Sequence, residues 1–208
     1  MNKSIALALS VVFQPLTMPT LICGVILFLV PEATSIPGSA KWSLLMLISL
    51  TTLVIPLLSL LGMKMTDSIN SLHMPDKKER ILPFSLISVF YVMTAVFFYY
   101  RIRVDQLVLT TLIMITACLI VLTCVTYFWK ISSHLTGIAG LLAVIVVLSM
   151  KYGVQHLFYP FIFAVLVSGA VGTARLALNA HKPSEVYGGF MLGFSWSFCV
   201  YYYVLMGN

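Results

Sequence analysis

Seven apolar segments divide the sequence, and they span approximately residues 5–30, 41–62, 82–100, 105–129, 134–150, 157–178 and 185–206. Each approaches the roughly 20 residues that an α-helix needs to cross about 30 Å of hydrocarbon. Hydrocarbon offers no partner to an unpaired backbone amide, so such segments fold as helices. Pro15 and Pro19 interrupt the first segment, and the fifth is short. We therefore predict an all-α, polytopic transmembrane bundle of six or seven helices.

Composition supports a membrane protein, because 61% of the 208 residues are hydrophobic and only 9% are charged. The net charge of +6 favours loop orientation and contact with anionic lipid headgroups over nucleic-acid binding, since no basic run carries interleaved aromatic residues. No repeat or linker divides residues 1–208, which predicts a single integral membrane domain. The cysteines lie in apolar runs without metal-ligand spacing, and we interpret them as small residues of the membrane core: Cys23, Cys118, Cys124 and Cys199.

The beginning of the chain allows two interpretations. Lys3 followed by a short apolar run is typical of a secretory signal peptide. No small-x-small cleavage site follows, however, and the apolar character resumes after Pro19. We therefore predict a retained first segment that its prolines interrupt.

Alternate crossing of the membrane places loops 63–81, 130–133 and 179–184 on one face, together with the N-terminus. That face collects ionisable residues from separate parts of the chain: Lys77, Lys78, Arg80, His134, His181 and Glu185, with Arg175 at the end of its helix. It carries eight Lys and Arg residues against four opposite, which favours a cytoplasmic location. Without three proposed site residues the count is five against four, so the sidedness stays open.

The stretch "NAHKPSE" places a carboxylate four residues after a histidine. Glu185 could orient the His181 imidazole and make it a nucleophile or a general base. Pro183 and Glu185 also fit the first turn of a helix, where an absent amide and an acidic side chain are both favourable. This stretch alone supports both interpretations.

The stretch "KISSHLTG" offers a hydroxyl cap, Ser132 or Ser133, to the helix that follows, with His134 in its first turn. Backbone amides at such a helix start can bind a phosphate oxyanion. The alternative is a histidine at the membrane interface without a ligand. Similarly, the basic run Lys77, Lys78 and Arg80 fits either a phosphate site or a loop that faces lipid headgroups.

In this order, the three stretches resemble the motifs of the type 2 phosphatidic acid phosphatase superfamily. That family has a Lys/Arg-Pro motif, then Pro-Ser-Gly-His, then Ser-Arg, five residues, His, three residues and Asp. Here Ala174, Arg175, "LALNA", His181, "KPS" and Glu185 keep the last spacing, whereas Ala replaces Ser and Glu replaces Asp. The stretch "ISSH" corresponds to the second motif, and the basic run with Pro83 corresponds loosely to the first. The resemblance covers residues 77–193.

The resemblance implies a metal-independent lipid phosphatase that needs no cofactor. His181 would attack phosphorus, Glu185 would orient the His181 ring, and His134 would protonate the leaving alkoxide. The phosphoryl oxygens would be held by the remaining motif residues: Lys77, Lys78, Arg80, Ser132, Ser133 and Arg175. The expected partners are a lipid phosphate substrate and membrane lipids, without nucleic acid, in what we expect to be a bacterial cytoplasmic membrane. The oligomeric state stays open.

The sequence is also compatible with two other functions. A non-enzymatic protein of the same fold would bind or move an anionic lipid and would tolerate loss of His181. An unrelated small-solute transporter would carry its ionisable residues along a pathway at mid-membrane depth, between broken helices.

Overall fold

A computed structural model describes residues 1–69, 77–153 and 155–207, with the side chains of Lys77 and Lys78 also outside the described part. Over these ranges the chain is helical and has no β-strand. The α-helices are α1 Lys3–Val12, α2 Met18–Gly24, α3 Gly38–Ser49, α4 Ile55–Met65, α5 Lys77–Phe97, α6 Gln106–Thr126, α7 Ser133–Tyr152, α8 Phe158–Ala177 and α9 Pro183–Met206. The predicted all-α bundle is confirmed.

Seven of the described helical spans are long and apolar enough to cross a membrane. They are Lys3–Leu29, Gly38–Met65, Glu79–Ile102, Gln106–Thr126, Ser133–Tyr152, Gln155–Ala177 and Pro183–Met206. The first span joins α1 to α2, and the second joins α3 to α4 through a wider π turn, Leu50–Val54. The chain is therefore an integral membrane protein.

The first span is broken at one of its two prolines. Helix α1 ends at Val12, and Gln14 adopts an extended conformation with ψ of 153° before a 3-10 turn that begins at Pro15. Pro19 causes no break, because it lies in the first turn of α2, where its missing amide would have no helical partner in any case. The break leaves the Ser10 carbonyl without the amide that a continuous helix would supply from Gln14.

Helices α7 and α9 form the most extensive contact between two helices. Gly189 and Gly193 of α9 lie against the α7 backbone, where an added Cβ would come within 3.0 Å of the carbonyl oxygens of Ser132 and Thr136. Small residues permit such close approach between membrane helices. The two helices are therefore held in one register, and their first turns lie side by side.

Gly137 and Gly140 of α7 also lie in close contacts. An added Cβ at Gly137 would clash with the Met18 side chain of α2, whereas one at Gly140 would be 3.0 Å from the Ser197 hydroxyl of α9. Helix α7 thus packs closely against the second half of the first span as well as against α9.

We expect Gly193→Ala to destabilise the protein by roughly 1–3 kcal/mol or more, the usual cost of overpacking. The reason is that the new methyl group would meet the Thr136 backbone, which cannot move without shifting α7. Thermal unfolding of the purified protein in one detergent measures the effect. Gly169→Ala is the matched control, because its added Cβ meets nothing within 4 Å. Equal unfolding temperatures of the two variants would contradict the close α7–α9 contact.

Candidate active site

Four basic or imidazole side chains meet at one end of the bundle, each close to the end of a span. Arg80 and His134 follow the first residues of their spans, Arg175 is near the end of its span, and His181 lies in the connection from α8 to α9. Arg80 is only 4% exposed, and Arg175 and His181 are 7% exposed. The ends of α5 and α8 therefore place two buried guanidinium groups near the two histidines.

Contacts on both ring nitrogens fix the orientation of the His181 imidazole. Its Nδ1 lies 3.0 Å from Glu185 Oε2 and 3.1 Å from the carbonyl oxygen of Lys130. Both partners accept hydrogen bonds, so Nδ1 carries the proton and donates it. The lone pair of the neutral ring is then on Nε2, which lies 3.5 Å from a guanidinium nitrogen of Arg80. This tautomer presents Nε2 to the position where the cations converge.

Glu185 acts in two ways at the start of α9. Its Oε2 accepts from the Lys182 amide at 3.1 Å as well as from the His181 ring, and Pro183 occupies the first turn of α9. The helix-start interpretation and the histidine-orienting interpretation of "NAHKPSE" are therefore compatible. The same carboxylate satisfies a backbone amide and fixes the imidazole.

The surroundings of His181 disfavour its protonated form. Burial lowers the pKa of His181 from its ordinary value of 6.5 to about 3, and the positive charges of Arg80, Arg175 and Lys130 act in the same direction. The hydrogen bond to the Lys130 carbonyl opposes this shift. At neutral pH the ring is neutral, so its Nε2 lone pair is available to an electrophile.

His134 is held by the broken first span. Its Nε2 lies 3.0 Å from the Ser10 carbonyl oxygen, the group that the break at Pro15 leaves without a helical partner. Since a carbonyl accepts, His134 Nε2 donates, and Nδ1 is the nitrogen that remains for a ligand. His134 lines one cavity together with Arg80 and Arg175, so it belongs to the same cluster.

A cavity of about 420 Å³ opens from this cluster into the bundle. Arg80, Ser133, His134 and Arg175 line its polar part. The remaining wall is mainly apolar and comes from both halves of the first span and from α4, α5, α6 and α7. A site of this form suits a ligand with one anionic end and one apolar end.

Three buried polar atoms in this region have no hydrogen-bond partner: Ser10 Oγ, Ser132 Oγ and Arg175 Nε. Ser10 and Arg175 line the cavity. A buried donor without a partner costs free energy, so these groups are suited to accept a hydrogen-bond partner from the cavity.

The structure brings together Arg80, His134, Arg175, His181 and Glu185, and Ser133 lines the same cavity. Ser132 begins α7 as its N-cap but makes no side-chain capping bond, and it does not line the cavity, so only the second serine of "ISSH" faces the site. The predicted roles of the Lys77 and Lys78 side chains lie outside the described residues.

The histidines are also oriented by two backbone groups that the sequence did not predict, the carbonyls of Ser10 and Lys130. For the Ser10 carbonyl the sequence does contain one indication, because Pro15 breaks the helix to which Ser10 belongs.

Within the described ranges, no three His, Cys, Asp or Glu residues are grouped as they would be to hold a metal ion. Cys23 and Cys118 are buried, whereas Cys124 and Cys199 are exposed at the helix surface. No family model, no curated protein and no solved structure matches the chain.

We expect His181 to stay neutral, with its proton on Nδ1, as the pH is lowered from 6.5 towards its pKa of about 3. Nitrogen NMR of protein carrying labelled histidine distinguishes the tautomer and follows the titration. Arg80→Gln should raise the pKa of His181, because it removes a positive charge, but burial should keep this pKa below 6.5. Arg101→Gln, at the exposed opposite end of the same span, is the control. An ordinary His181 titration would contradict the described geometry.

Proposed function

We propose that the protein is a membrane-embedded phosphatase, similar to the type 2 phosphatidic acid phosphatases, that hydrolyses a lipid phosphate monoester or pyrophosphate. One observation carries the proposal. The His181 ring is held by Glu185 and the Lys130 carbonyl so that its Nε2 faces the buried guanidinium of Arg80. A neutral, oriented imidazole next to fixed positive charge is suited to nucleophilic attack on phosphorus.

The first step would form a phosphohistidine. His181 Nε2 attacks phosphorus, the bond from phosphorus to the ester oxygen breaks, and the alkoxide leaves with a proton from His134. The proton would come from Nδ1 of His134, because Nε2–H is directed to the Ser10 carbonyl, and the negative charge of the bound phosphate would favour the protonated ring that this step requires. In the second step His134 takes a proton from water, which attacks phosphorus and releases inorganic phosphate and His181.

Positive charge at the site would stabilise the phosphoryl oxygens in both steps. Arg80 and Arg175 are buried, so their attraction to a phosphate is screened less than that of surface residues. The type 2 phosphatidic acid phosphatases have a serine before the arginine of their third motif, whereas this chain has Ala174 before Arg175. The missing hydroxyl removes one donor, which at comparable sites is worth roughly 3 kcal/mol in rate.

The position of the cluster supports a lipid substrate. Arg80, His134 and Arg175 lie at the ends of their spans, at headgroup depth, and the cavity continues from them as an apolar wall. A small-solute transporter would place its ionisable residues near mid-membrane. The proposed substrates are lipid phosphates of the bacterial cytoplasmic membrane, such as phosphatidic acid, phosphatidylglycerol phosphate, a polyprenyl phosphate or pyrophosphate, or a lipid A phosphate.

The proposal predicts different losses for the three catalytic side chains. His181→Ala should abolish turnover, because no other group in "NAHKPSE" can form the covalent intermediate. His134→Ala should slow hydrolysis of an alkyl phosphate by about 10²–10⁴-fold, but much less with nitrophenyl phosphate, whose leaving group needs little protonation. Glu185→Gln should give an intermediate loss, since it keeps the shape of the orienting group without its charge.

Single-turnover phosphate release from the three variants in one detergent measures these differences, after each is shown to be folded. Near-normal turnover of His181→Ala would contradict the mechanism. Absence of phosphate release from the unmodified protein over a panel of lipid phosphates, together with retained lipid binding, would favour a non-enzymatic anionic-lipid protein.

We further expect phosphate release to continue in the presence of EDTA. The two arginines supply positive charge that a metal ion provides in other phosphoryl-transfer sites. Release assayed with and without EDTA, and after addition of magnesium or zinc, measures the dependence. Activity that is lost with EDTA and restored by a divalent metal would contradict the expectation.

A further inference from the structure

We propose that the cavity binds one hydrocarbon chain of the lipid phosphate inside the bundle and that its closed end selects the length of that chain. This inference rests on the proposed function, which requires a phosphate at the cluster. It adds a second binding site for the apolar part of the same substrate.

The cavity extends from the charged cluster to about half the depth of the membrane. On α5 its lining runs from Arg80 to Tyr91, eleven residues along the helix. At 1.5 Å per residue this is about 16 Å, compared with about 30 Å for the hydrocarbon core. A phosphate held at the cluster would therefore direct an attached chain along the cavity towards mid-membrane.

Buried side chains close the far end of the cavity. Ile22 and Met114 line it and also belong to the hydrophobic core cluster, which continues into the other half of the bundle through Leu148 and Tyr201. Tyr91 is fixed at the same depth, because its hydroxyl donates to the Thr52 carbonyl at 3.0 Å. Beyond this depth, a longer chain could advance further into the bundle only by displacing packed core residues.

The size of the cavity favours one chain. Its volume of about 420 Å³ lies near the lower end of the roughly 300–1,000 Å³ that is usual for small-molecule pockets. A second chain of the same lipid would remain outside the bundle, among the membrane lipids. The occupant is therefore defined as one linear chain, either alkyl or prenyl, joined to a phosphate.

Two cysteines of α6 provide a matched pair for the test. Cys118 is buried and lines the cavity between Leu122 and the terminal Met114, whereas Cys124 is exposed on the same helix. Cys118→Phe would shorten the cavity without touching the charged cluster. Cys124→Phe adds the same bulk at the helix surface, where the cavity is unaffected.

The experiment measures kcat/KM for butyl, octyl, dodecyl and hexadecyl phosphate in mixed micelles at a fixed mole fraction. For the unmodified protein we expect kcat/KM to rise by up to about fourfold per added methylene until the chain reaches the closed end. This factor corresponds to the free energy of burying one methylene group. Cys118→Phe should lower kcat/KM for the longest chains, relative to that for butyl phosphate, by about tenfold or more, because a hydrophobic pocket discriminates against surplus methylenes. Cys124→Phe should keep the original profile.

Two further arms complete the test. Met114→Ala should move the preferred length to longer chains, which keeps the inference testable if Cys118→Phe fails to fold. Geranyl and farnesyl phosphate, compared with alkyl phosphates of similar length, distinguish a prenyl from an alkyl source. Hydrolysis with one unchanged chain-length profile in all variants would overturn the inference alone, whereas absence of hydrolysis of every substrate by the unmodified protein would overturn the proposed function.

Discussion

The close contact between α7 and α9 is the constraint on which the candidate site depends. At this contact the amide of Ser132 donates to the carbonyl of Glu185 at 2.9 Å, and Gly189 and Gly193 allow the backbones to meet. The first turn of each helix carries one part of the site, His134 on α7 and Glu185 on α9. A side chain larger than hydrogen at the glycines would separate the two histidines, although neither glycine lies in the site.

The electrostatic state of the site is suited to an incoming anion. Burial and positive neighbours keep His181 neutral, because a second proton on its ring would be both poorly solvated and repelled. A bound phosphate would bring negative charge that offsets the repulsion between Arg80 and Arg175. The site therefore gains favourable electrostatic energy when phosphate binds, which is consistent with the unpaired Arg175 Nε beside the cavity.

The sequence was sufficient to predict features that local rules determine. It was insufficient to predict contacts with backbone groups that are distant along the chain. Span lengths were predictable because bilayer thickness sets them, and a contact of His181 with Glu185 was predictable because four residues separate them at a helix start. The bond from His134 to the Ser10 carbonyl joins positions 124 residues apart. Every residue type has a carbonyl, so no residue pattern marks that partner. Likewise, the sequence around Gly193 does not indicate which helix this glycine contacts, because the assembled bundle determines that contact.

The break at Pro15 also has a consequence for biogenesis. The first span leaves the ribosome long before the fifth, so the Ser10 carbonyl is made 124 residues before the histidine that binds it. Hydrocarbon cannot satisfy that oxygen in the meantime. Until the helix that carries His134 has been made, water, a lipid headgroup or another polar group has to satisfy this oxygen. The hydrogen bond that orients His134 is therefore completed only after the fifth span has been synthesised.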